Sequence, residues 1–463
     1  MITDEVLVES IGSLGRRLRD GEFTVRKLTE AYLDRLERVG PDLNAVVTVT
    51  RERALAAADR LDGELDAGED RGPLHGIPYG VKDLVAVEGY PTTWGAEPYR
   101  GREIDEDAAV VGRLDEAGGV LIGKLAMVEL AGGFGYDRAD ATFTGPGRNP
   151  WNVQAWSGGS SSGSAAAVAA GLVGFAVGTE TWGSLTTPAA FSGVSAIRPT
   201  YDRVSREGVM ALSWTMDKVG PLCRTVDDCG RVLRAMATPD TSERGLGAID
   251  REDGFHVAVP EGAGEDEQAG VRENFERTLE TLSAFSTVER VSLPDLPFAA
   301  MAGTIIDAEA AAAFDDLIES GAVHELDGET HQLGSYRASA VLARDYINAN
   351  RVRTKAQRQL DDLLADYDAL VTPARSSVAN PIEESLTDYF GQFGSPPVNA
   401  AANVTGLPGV TTPNGFGERG LPTAVEFVGR AGEEATVLAL AGEYERRTDH
   451  VEHASLIEAL DRC

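Results

Sequence analysis

Three side chains carry the chemistry that this sequence suggests: Ser160, Ser184 and Lys82. The serines are 24 residues apart (184 − 160) in two glycine-rich segments, of which the second, the nucleophile segment, is Gly178-Thr-Glu-Thr-Trp-Gly-Ser184. The lysine lies in the lysine segment, Gly76-Ile-Pro-Tyr-Gly-Val-Lys-Asp83. A serine attacks a carbonyl group only if a base removes its proton, and that base is commonly histidine. The only histidine among the first 255 residues is His75. The sequence therefore predicts a hydrolase in which a lysine is the base for two serines.

Taken alone, the segment Gly158-Gly-Ser-Ser-Ser-Gly-Ser164 fits a flexible linker, a phosphate-binding loop or a catalytic turn. A linker does not usually run directly into an alanine-rich helix, which here is predicted over Ala165–Ala170. A phosphate-binding loop would show GxxxxGK[ST] or GxGxxG after a strand, and neither pattern is present. The second serine segment and the lysine segment favour the catalytic turn.

Short apolar strands alternate with helices around these segments. The pattern predicts an α/β sandwich with a largely parallel or mixed sheet. The predicted elements are strands at Ile77–Val81, Val120–Ile122 and Gly174–Val177 and a helix at Asp107–Ala117.

Helices are predicted at the N-terminus, in the second half of the chain and at its end. Thr24 is a predicted N-cap of a helix that stops at Gly40. Further helices are predicted over Arg51–Leu65, from about Gln268 to Asp366 and over Glu433–Arg447, with strands at Val257–Val259 and Ala369–Val371.

The chain of 463 residues has a net charge of −32, and arginine supplies most of its positive charge. Its only lysines are Lys27, Lys82, Lys124, Lys218 and Lys355. Such a surface repels nucleic acid and anionic membranes, so neither is predicted as a partner. We interpret the composition as adaptation to a salt-rich cytoplasm; an acidic surface for a protein partner is the alternative. The acidic N-terminus does not resemble a signal peptide, and no apolar run is as long as a membrane span, so a cytoplasmic location is expected.

Neither the cysteines nor the histidines show a metal-binding pattern, and no metal or other cofactor is predicted. Cys223 and Cys229 are interpreted as small buried hydrophobic residues, and Cys463 completes an odd count without a CxxC motif. Direct catalysis by His75 is not favoured. Asp83 is expected to fix the lysine loop, and Asp217 and Lys218 to form an ordinary charge pair in a loop.

Several segments together resemble the amidase signature family, in its order and spacing. The resemblance covers most of the chain and rests on the lysine segment, both serine segments, Ile197-Arg-Pro-Thr-Tyr-Asp-Arg-Val-Ser205, Ser213-Trp-Thr-Met-Asp-Lys-Val-Gly-Pro221, Thr405-Gly-Leu-Pro408 and Leu421-Pro-Thr-Ala-Val-Glu-Phe-Val-Gly-Arg430. It implies a single-domain α/β/α sandwich with a central mixed sheet covered by helices. Residues 1–463 would form that domain, with an N-terminal helical part (1–68), a catalytic core (72–230), a variable, mostly helical part (237–366) and a C-terminal part that completes the core (367–463).

The resemblance assigns catalysis to Lys82, Ser160 and Ser184. Neutral Lys82 would accept a proton from Ser160, which relays one from Ser184, and Ser184 would attack the amide carbonyl to form an acyl-enzyme. Backbone N–H groups over Thr181, Trp182, Gly183 and Ser184 would bind the oxyanion. The resemblance also implies a cis peptide bond at Ser160, which Gly159 would accommodate, and a supporting hydrogen bond from Ser164.

The nucleophile segment departs from many relatives at Glu180, Trp182 and Thr186, where Asp, Gly and Arg are common in the family. Trp182 is expected to reshape the acyl pocket or to pack behind the oxyanion turn, and Met127 is a further candidate for the pocket lining.

The expected function is that of an amidase that converts a small-molecule carboxylic amide to a carboxylate and ammonia or an amine. The alternative is the A subunit of a glutamine-dependent aminoacyl-tRNA amidotransferase, which works with partner chains. The nucleophile segment favours the stand-alone enzyme, and a homodimer is left open. A catalytically silent binding protein is disfavoured because all three catalytic residue types are present.

Overall fold

The computed structural model describes residues 2–238, 254–395, 397–448, 450 and 453–460; Cys463 lies outside them. Within this part of the chain, eleven strands form one sheet, and β4 and β5 form a separate two-stranded sheet. The strands are β1 (Val46–Val49), β2 (Pro78–Lys82), β3 (Val120–Leu125), β4 (Arg148–Asn149), β5 (Asn152–Trp156), β6 (Phe175–Glu180), β7 (Ser195–Arg198), β8 (Lys218–Cys223), β9 (Phe255–Pro260), β10 (Ser286–Val291), β11 (Ala369–Pro373), β12 (Gly409–Phe416) and β13 (Pro422–Val428).

Helices flank the large sheet. They are α1 (Ile11–Arg19), α2 (Val25–Val39), α3 (Arg51–Asp66), α4 (Ala109–Glu116), α5 (Ser162–Ala169), α6 (Thr186–Ser192), α7 (Val226–Met236), α8 (Ala269–Ser283), α9 (Phe298–Ala313), α10 (Asp315–Glu319), α11 (Glu329–Ala338), α12 (Ala343–Leu364), α13 (Leu386–Phe390), α14 (Pro397–Thr405), α15 (Glu434–Arg446) and α16 (His453–Leu460).

The strand order in the large sheet is β1-β3-β2-β6-β8-β7-β12-β13-β11-β9-β10. Parallel pairs (β2 with β3 and β6, β9 with β10 and β11) stand beside antiparallel ones (β6 with β8, β12 with β7 and β13). The sheet is therefore mixed, and the predicted α/β class with a helix-covered mixed sheet is confirmed.

Two neighbouring strands bring the lysine and the nucleophile segment together. β2 runs parallel to β6 with Val81 opposite Val177. β2 ends at Lys82 and β6 ends at Glu180. Because the carboxyl ends of parallel neighbours lie at the same edge of a sheet, the residues that follow β6 emerge next to Lys82.

Most predicted element positions agree with the structure, including the Thr24 cap, whose side chain accepts a hydrogen bond from the Lys27 N–H. The helical prediction over 268–366 is wrong at β10. This strand pairs only with β9 at the edge of the sheet and is largely exposed, so few buried apolar residues mark its period-2 pattern. β6 also extends to Glu180, beyond its predicted end, because it continues to pair with β8 through Lys218.

The predicted character of the cysteines is confirmed where the structure describes them, since Cys223 and Cys229 are both buried and free. None of the helices in the described ranges has the length and apolar character needed to cross a bilayer.

Candidate active site

Lys82, Ser160 and Ser184 form one hydrogen-bonded chain. The Lys82 Nζ lies 2.7 Å from the Ser160 Oγ, and the Ser160 Oγ lies 2.9 Å from the Ser184 Oγ. Lys82 and Ser160 are fully buried, whereas Ser184 keeps 8% of its surface exposed. The structure therefore brings the three predicted residues together in the predicted order, with Ser184, the least buried of the three, at one end.

The hydrogen-bond partners of the Lys82 amine in the described part of the chain are neutral hydroxyl groups. It contacts the Thr179 Oγ1 at 3.0 Å as well as Ser160. Burial lowers the pKa of Lys82 from 10.5 to about 7, while the charges of Asp217 and Glu180 act in the opposite direction. A substantial fraction of the amine is therefore unprotonated near neutral pH, which a proton acceptor requires.

The backbone around Ser160 is tightly packed. The Gly159–Ser160 peptide bond is cis, as the resemblance implies. A Cβ at Gly159 would lie 2.6 Å from Trp156 Cζ2 and 2.9 Å from Val128 Cγ2, so only glycine fits there. The Ser160 carbonyl oxygen accepts a hydrogen bond from the Val128 N–H at 3.1 Å.

Among the described contacts, the Ser164 hydroxyl makes no hydrogen bond to Ser160 or Ser184. Its hydroxyl donates instead to the Val177 carbonyl oxygen at 3.3 Å. The supporting hydrogen bond implied by the resemblance is therefore absent from the described contacts, because Ser164 lies in α5 and faces β6.

The turn that carries Ser184 presents several backbone N–H groups. In the described ranges, the N–H groups of Trp182, Gly183 and Ser184 donate to no other residue. Those of Leu185 and Thr186 donate to the Glu180 carboxylate at 2.7 and 2.9 Å. The N–H groups without a partner thus belong to Ser184 and the two residues before it in sequence, within the segment predicted to bind an oxyanion.

A buried ion cluster fixes this turn. The Arg198 Nη1 lies 2.9 Å from a Glu180 oxygen and 2.7 Å from a Glu426 oxygen, and all three side chains are buried. Burial alone would raise the pKa of Glu180, but the charges of Arg198 and Lys218 outweigh it and lower that pKa to about 2. Glu180 is therefore ionised and holds the first N–H groups of α6.

Asp217 and Lys218 are not the simple loop pair that the sequence suggested. Lys218 begins β8, is buried and donates to the Thr181 carbonyl and the Asn403 Oδ1. Asp217 is also buried and accepts from the Thr181 hydroxyl at 2.5 Å and from two backbone N–H groups. Both side chains support Thr181, because the strand pairing of β6 with β8 places them next to it.

The other residues singled out in the sequence lie outside the hydrogen-bonded chain of Lys82, Ser160 and Ser184. Asp83 pairs with Lys124 at 3.0 Å behind Lys82, and its role in fixing the lysine loop is supported. His75 is buried, and its ring contacts the backbone of Leu61 and Arg71. Trp182 is 37% exposed and Met127 is wholly buried in the core, and their roles at an acyl pocket stay predictions.

A cavity of about 770 Å³ has Thr179, Thr181, Asp217, Tyr201 and Trp214 among its lining residues. Because the Thr179 hydroxyl contacts the Lys82 amine, the cavity extends close to the base of the hydrogen-bonded chain. Among the described residues, no group of three or more His, Cys, Asp or Glu side chains is placed to hold a metal ion.

Thr179, Arg198 and Glu426 were not among the residues predicted from the sequence. The last two carried a readable signal, since Glu426 interrupts an apolar strand segment with a charge and Arg198 ends one. A buried charge in such a position needs a partner of opposite charge. Their mutual pairing could not be read from the sequence, because β7 and β13 are not sequence neighbours.

Comparison with known proteins shows the family to which this chain belongs. The chain is 35% identical over 485 residues to the A subunit of glutamyl-tRNA(Gln) amidotransferase from Symbiobacterium thermophilum, with 96% of this chain and 97% of that protein covered. It superposes on a crystal structure of an amidase with a TM-score of 0.85 and 31% identity, covering 95% of this chain and all of that one. It is also similar to native peptide amidase from Stenotrophomonas maltophilia, with a TM-score of 0.82, 31% identity and coverage of 96% and 97%. The sequence profile of the amidase family matches residues 27–438. The chain belongs to the amidase family.

Proposed function

We propose that this protein hydrolyses a carboxylic amide to a carboxylate and ammonia or an amine through an acyl-enzyme on Ser184. One observation carries the proposal. The Ser184 hydroxyl is connected through Ser160, by hydrogen bonds of 2.9 and 2.7 Å, to the buried Lys82, whose pKa is lowered to about 7. Such a chain can take the proton of the nucleophile as it attacks.

In acylation, the Ser184 hydroxyl donates to Ser160, and the Ser160 hydroxyl donates to the neutral Lys82 amine. As the Ser184 Oγ bonds to the amide carbon, its proton passes to the Ser160 Oγ and the proton of Ser160 passes to Lys82. The carbonyl oxygen gains the negative charge and accepts from the N–H groups of Trp182, Gly183 and Ser184.

The tetrahedral intermediate then loses its nitrogen. The protons return along the same chain, and the departing nitrogen receives one as the carbon–nitrogen bond breaks. Water next attacks the acyl-enzyme with the same proton transfer, and the carboxylate leaves with Ser184 regenerated.

Two candidates fit this chemistry, a stand-alone amidase and, second, the A subunit of an amidotransferase, and the sequence relatives favour the second. The similarity to the A subunit of an amidotransferase over nearly the whole of both chains favours an amide-hydrolysing subunit that uses glutamine and works with partner chains. This evidence reverses the order of preference drawn from the nucleophile segment. The hydrolytic chemistry at Ser184 is the same in both cases, and the two candidates differ in substrate and assembly.

Ammonia release by the purified chain in concentrated KCl tests both candidates. The substrates are simple aliphatic and aryl amides and glutamine, and Ser184→Ala is the control. Release from simple amides that depends on Ser184 supports a free-standing amidase. Release from glutamine alone, or only after the partner chains of an amidotransferase are added, supports the second candidate. Release that Ser184→Ala retains contradicts the proposed mechanism.

A further inference from the structure

A cationic side chain without an ionic partner lies beside the nucleophile turn. Arg375 follows β11 by two residues and is partly buried. A Cβ added at Gly183 would lie 3.8 Å from the Arg375 Nη1, so the guanidinium reaches the residue that precedes Ser184. Within the described part of the chain, Arg375 makes no hydrogen bond and no ion pair. Its Cζ lies 5.8 Å from the centre of the Phe390 ring, which cannot neutralise it.

A second unpaired polar group converges on the same point. Asn399 lies in α14, is 5% exposed, and its Oδ1 is also 3.8 Å from the Cβ position at Gly183. Neither side-chain atom of Asn399 has a hydrogen-bond partner. An amide buried without a partner is costly, and its two ends can exchange places by rotation of the side chain.

The acidic residues nearby do not satisfy Arg375. Glu180 and Glu426 act on it through their charges, but both already contact Arg198. Glu426 also lies near the Asn399 amide, without a hydrogen bond of normal geometry. Burial lowers the pKa of Arg375, but a guanidinium stays protonated in proteins. A positive charge and an amide donor are therefore available together beside the nucleophile.

We propose that Arg375, assisted by Asn399, binds a carboxylate group of the substrate, so that the preferred substrates are anionic amides. A guanidinium fork matches the two oxygens of a carboxylate, and the Asn399 Nδ2 would supply a further N–H donor. The inference rests on the proposed amide hydrolysis and specifies its substrate class.

Matched pairs of substrates test this class in the unmodified chain. Succinamate is compared with butanamide, and glutaramate with pentanamide, so that a carboxylate replaces a methyl group at constant chain length. All assays use the same KCl concentration. The proposal predicts that kcat/KM is higher for the anionic member by at least about tenfold, as expected for a charge-assisted hydrogen bond. Equal values for both members overturn it.

Substitutions at Arg375 test whether this residue causes the preference for anionic amides. In Arg375→Met, the ratio of kcat/KM for the anionic amide to that for its neutral partner should fall by about 10- to 100-fold, mainly through KM. Arg375→Lys should retain part of the ratio. Arg430→Met, which removes an equal charge from an exposed pair with Asp361, is the control and should leave the ratio unchanged. An unchanged ratio in Arg375→Met overturns the proposal.

Binding without turnover separates this inference from the proposed function. Glutarate binding to Ser184→Ala is measured by calorimetry, with and without Arg375→Met. Binding that Arg375→Met abolishes supports the carboxylate site even if no tested amide is hydrolysed, which would count against the proposed function alone. Glutarate binding that Arg375→Met leaves intact counts against the carboxylate site alone.

Discussion

At the scale of single residues, the proposed chemistry depends on a lysine that is neutral when the reaction starts. Among the described residues, the Lys82 amine has hydrogen bonds to the hydroxyls of Ser160 and Thr179, and burial lowers its pKa to about 7. Below that pH the amine carries a proton and cannot accept one from Ser160. Above that pH the amine is neutral and can accept the proton of Ser160.

The value of kcat/KM should therefore rise with pH, with an apparent pKa near 7, and level off at higher pH. The measurement is the initial rate of ammonia release from one amide between about pH 5 and 9. Lys82→Arg is the matched variant. Because its guanidinium stays charged, this variant should be inactive at every pH. A flat profile across this range, or an active Lys82→Arg protein, would contradict lysine as the base.

Ser160 makes a separate prediction. Ser160→Ala removes the hydroxyl between Ser184 and Lys82 but leaves both ends of the chain in place. Because positioned proton transfer contributes about 10²- to 10⁴-fold, kcat should fall by that factor. Ser164→Ala is the control, since the Ser164 hydroxyl donates to the Val177 carbonyl and should leave kcat within about tenfold. A loss below tenfold in Ser160→Ala would leave the relay without support.

At the scale of elements, two parallel strands place the base and a buried ion cluster holds the turn that follows. β2 and β6 end at the same edge, and Glu180 at the end of β6 binds the first N–H groups of α6. Arg198 on β7 and Glu426 on β13 complete the cluster. The position of Ser184 thus depends on charges contributed by three strands.

Glu180→Ala should destabilise the protein by about 3–5 kcal/mol, because it leaves Arg198 with one of its two buried partners and the α6 N–H groups without an acceptor. Urea unfolding followed by circular dichroism measures the change. Asp361→Asn, which breaks the exposed pair with Arg430, should cost at most about 1 kcal/mol. Equal, small effects of the two substitutions would show that the Glu180 cluster does not stabilise the fold.

At the scale of the whole molecule, the net charge of −32 is combined with a surface that carries few lysines. Three of the five lysines, Lys82, Lys124 and Lys218, are buried, and each contacts a partner inside the protein. Only Lys27 and Lys355 lie on the surface. Lysine is thus largely confined to interior positions, and the surface has a strong excess of carboxylates that repel one another.

The unfolding temperature should therefore rise by several degrees as KCl is increased from about 0.1 to about 1 M, because the screening length shortens from about 10 to about 3 Å. Thermal unfolding at fixed protein concentration measures this effect. An unfolding temperature independent of KCl, with full activity in the absence of added salt, would contradict adaptation to high salt.

The sequence predicted those parts of the molecule that local residue patterns determine. The strand before Lys82 and the glycine-rich turns were readable because glycine, proline and short apolar runs specify local backbone geometry. The edge strand β10 was missed because only one of its faces is partly buried. The cluster of Glu180, Arg198 and Glu426 depends on pairing between distant strands, which no local pattern encodes. The same holds for the approach of Arg375 and Asn399 to Gly183.

The mass of the intact protein during turnover tests whether Ser184 forms the acyl-enzyme. An anionic amide such as glutaramate is mixed with the enzyme, quenched in acid after a short interval, and the protein is analysed by mass spectrometry with peptide mapping. We expect an added acyl group on Ser184 that is absent from Ser184→Ala. Turnover with no adduct at Ser184, together with an adduct on another residue or activity in Ser184→Ala, would contradict the proposed mechanism.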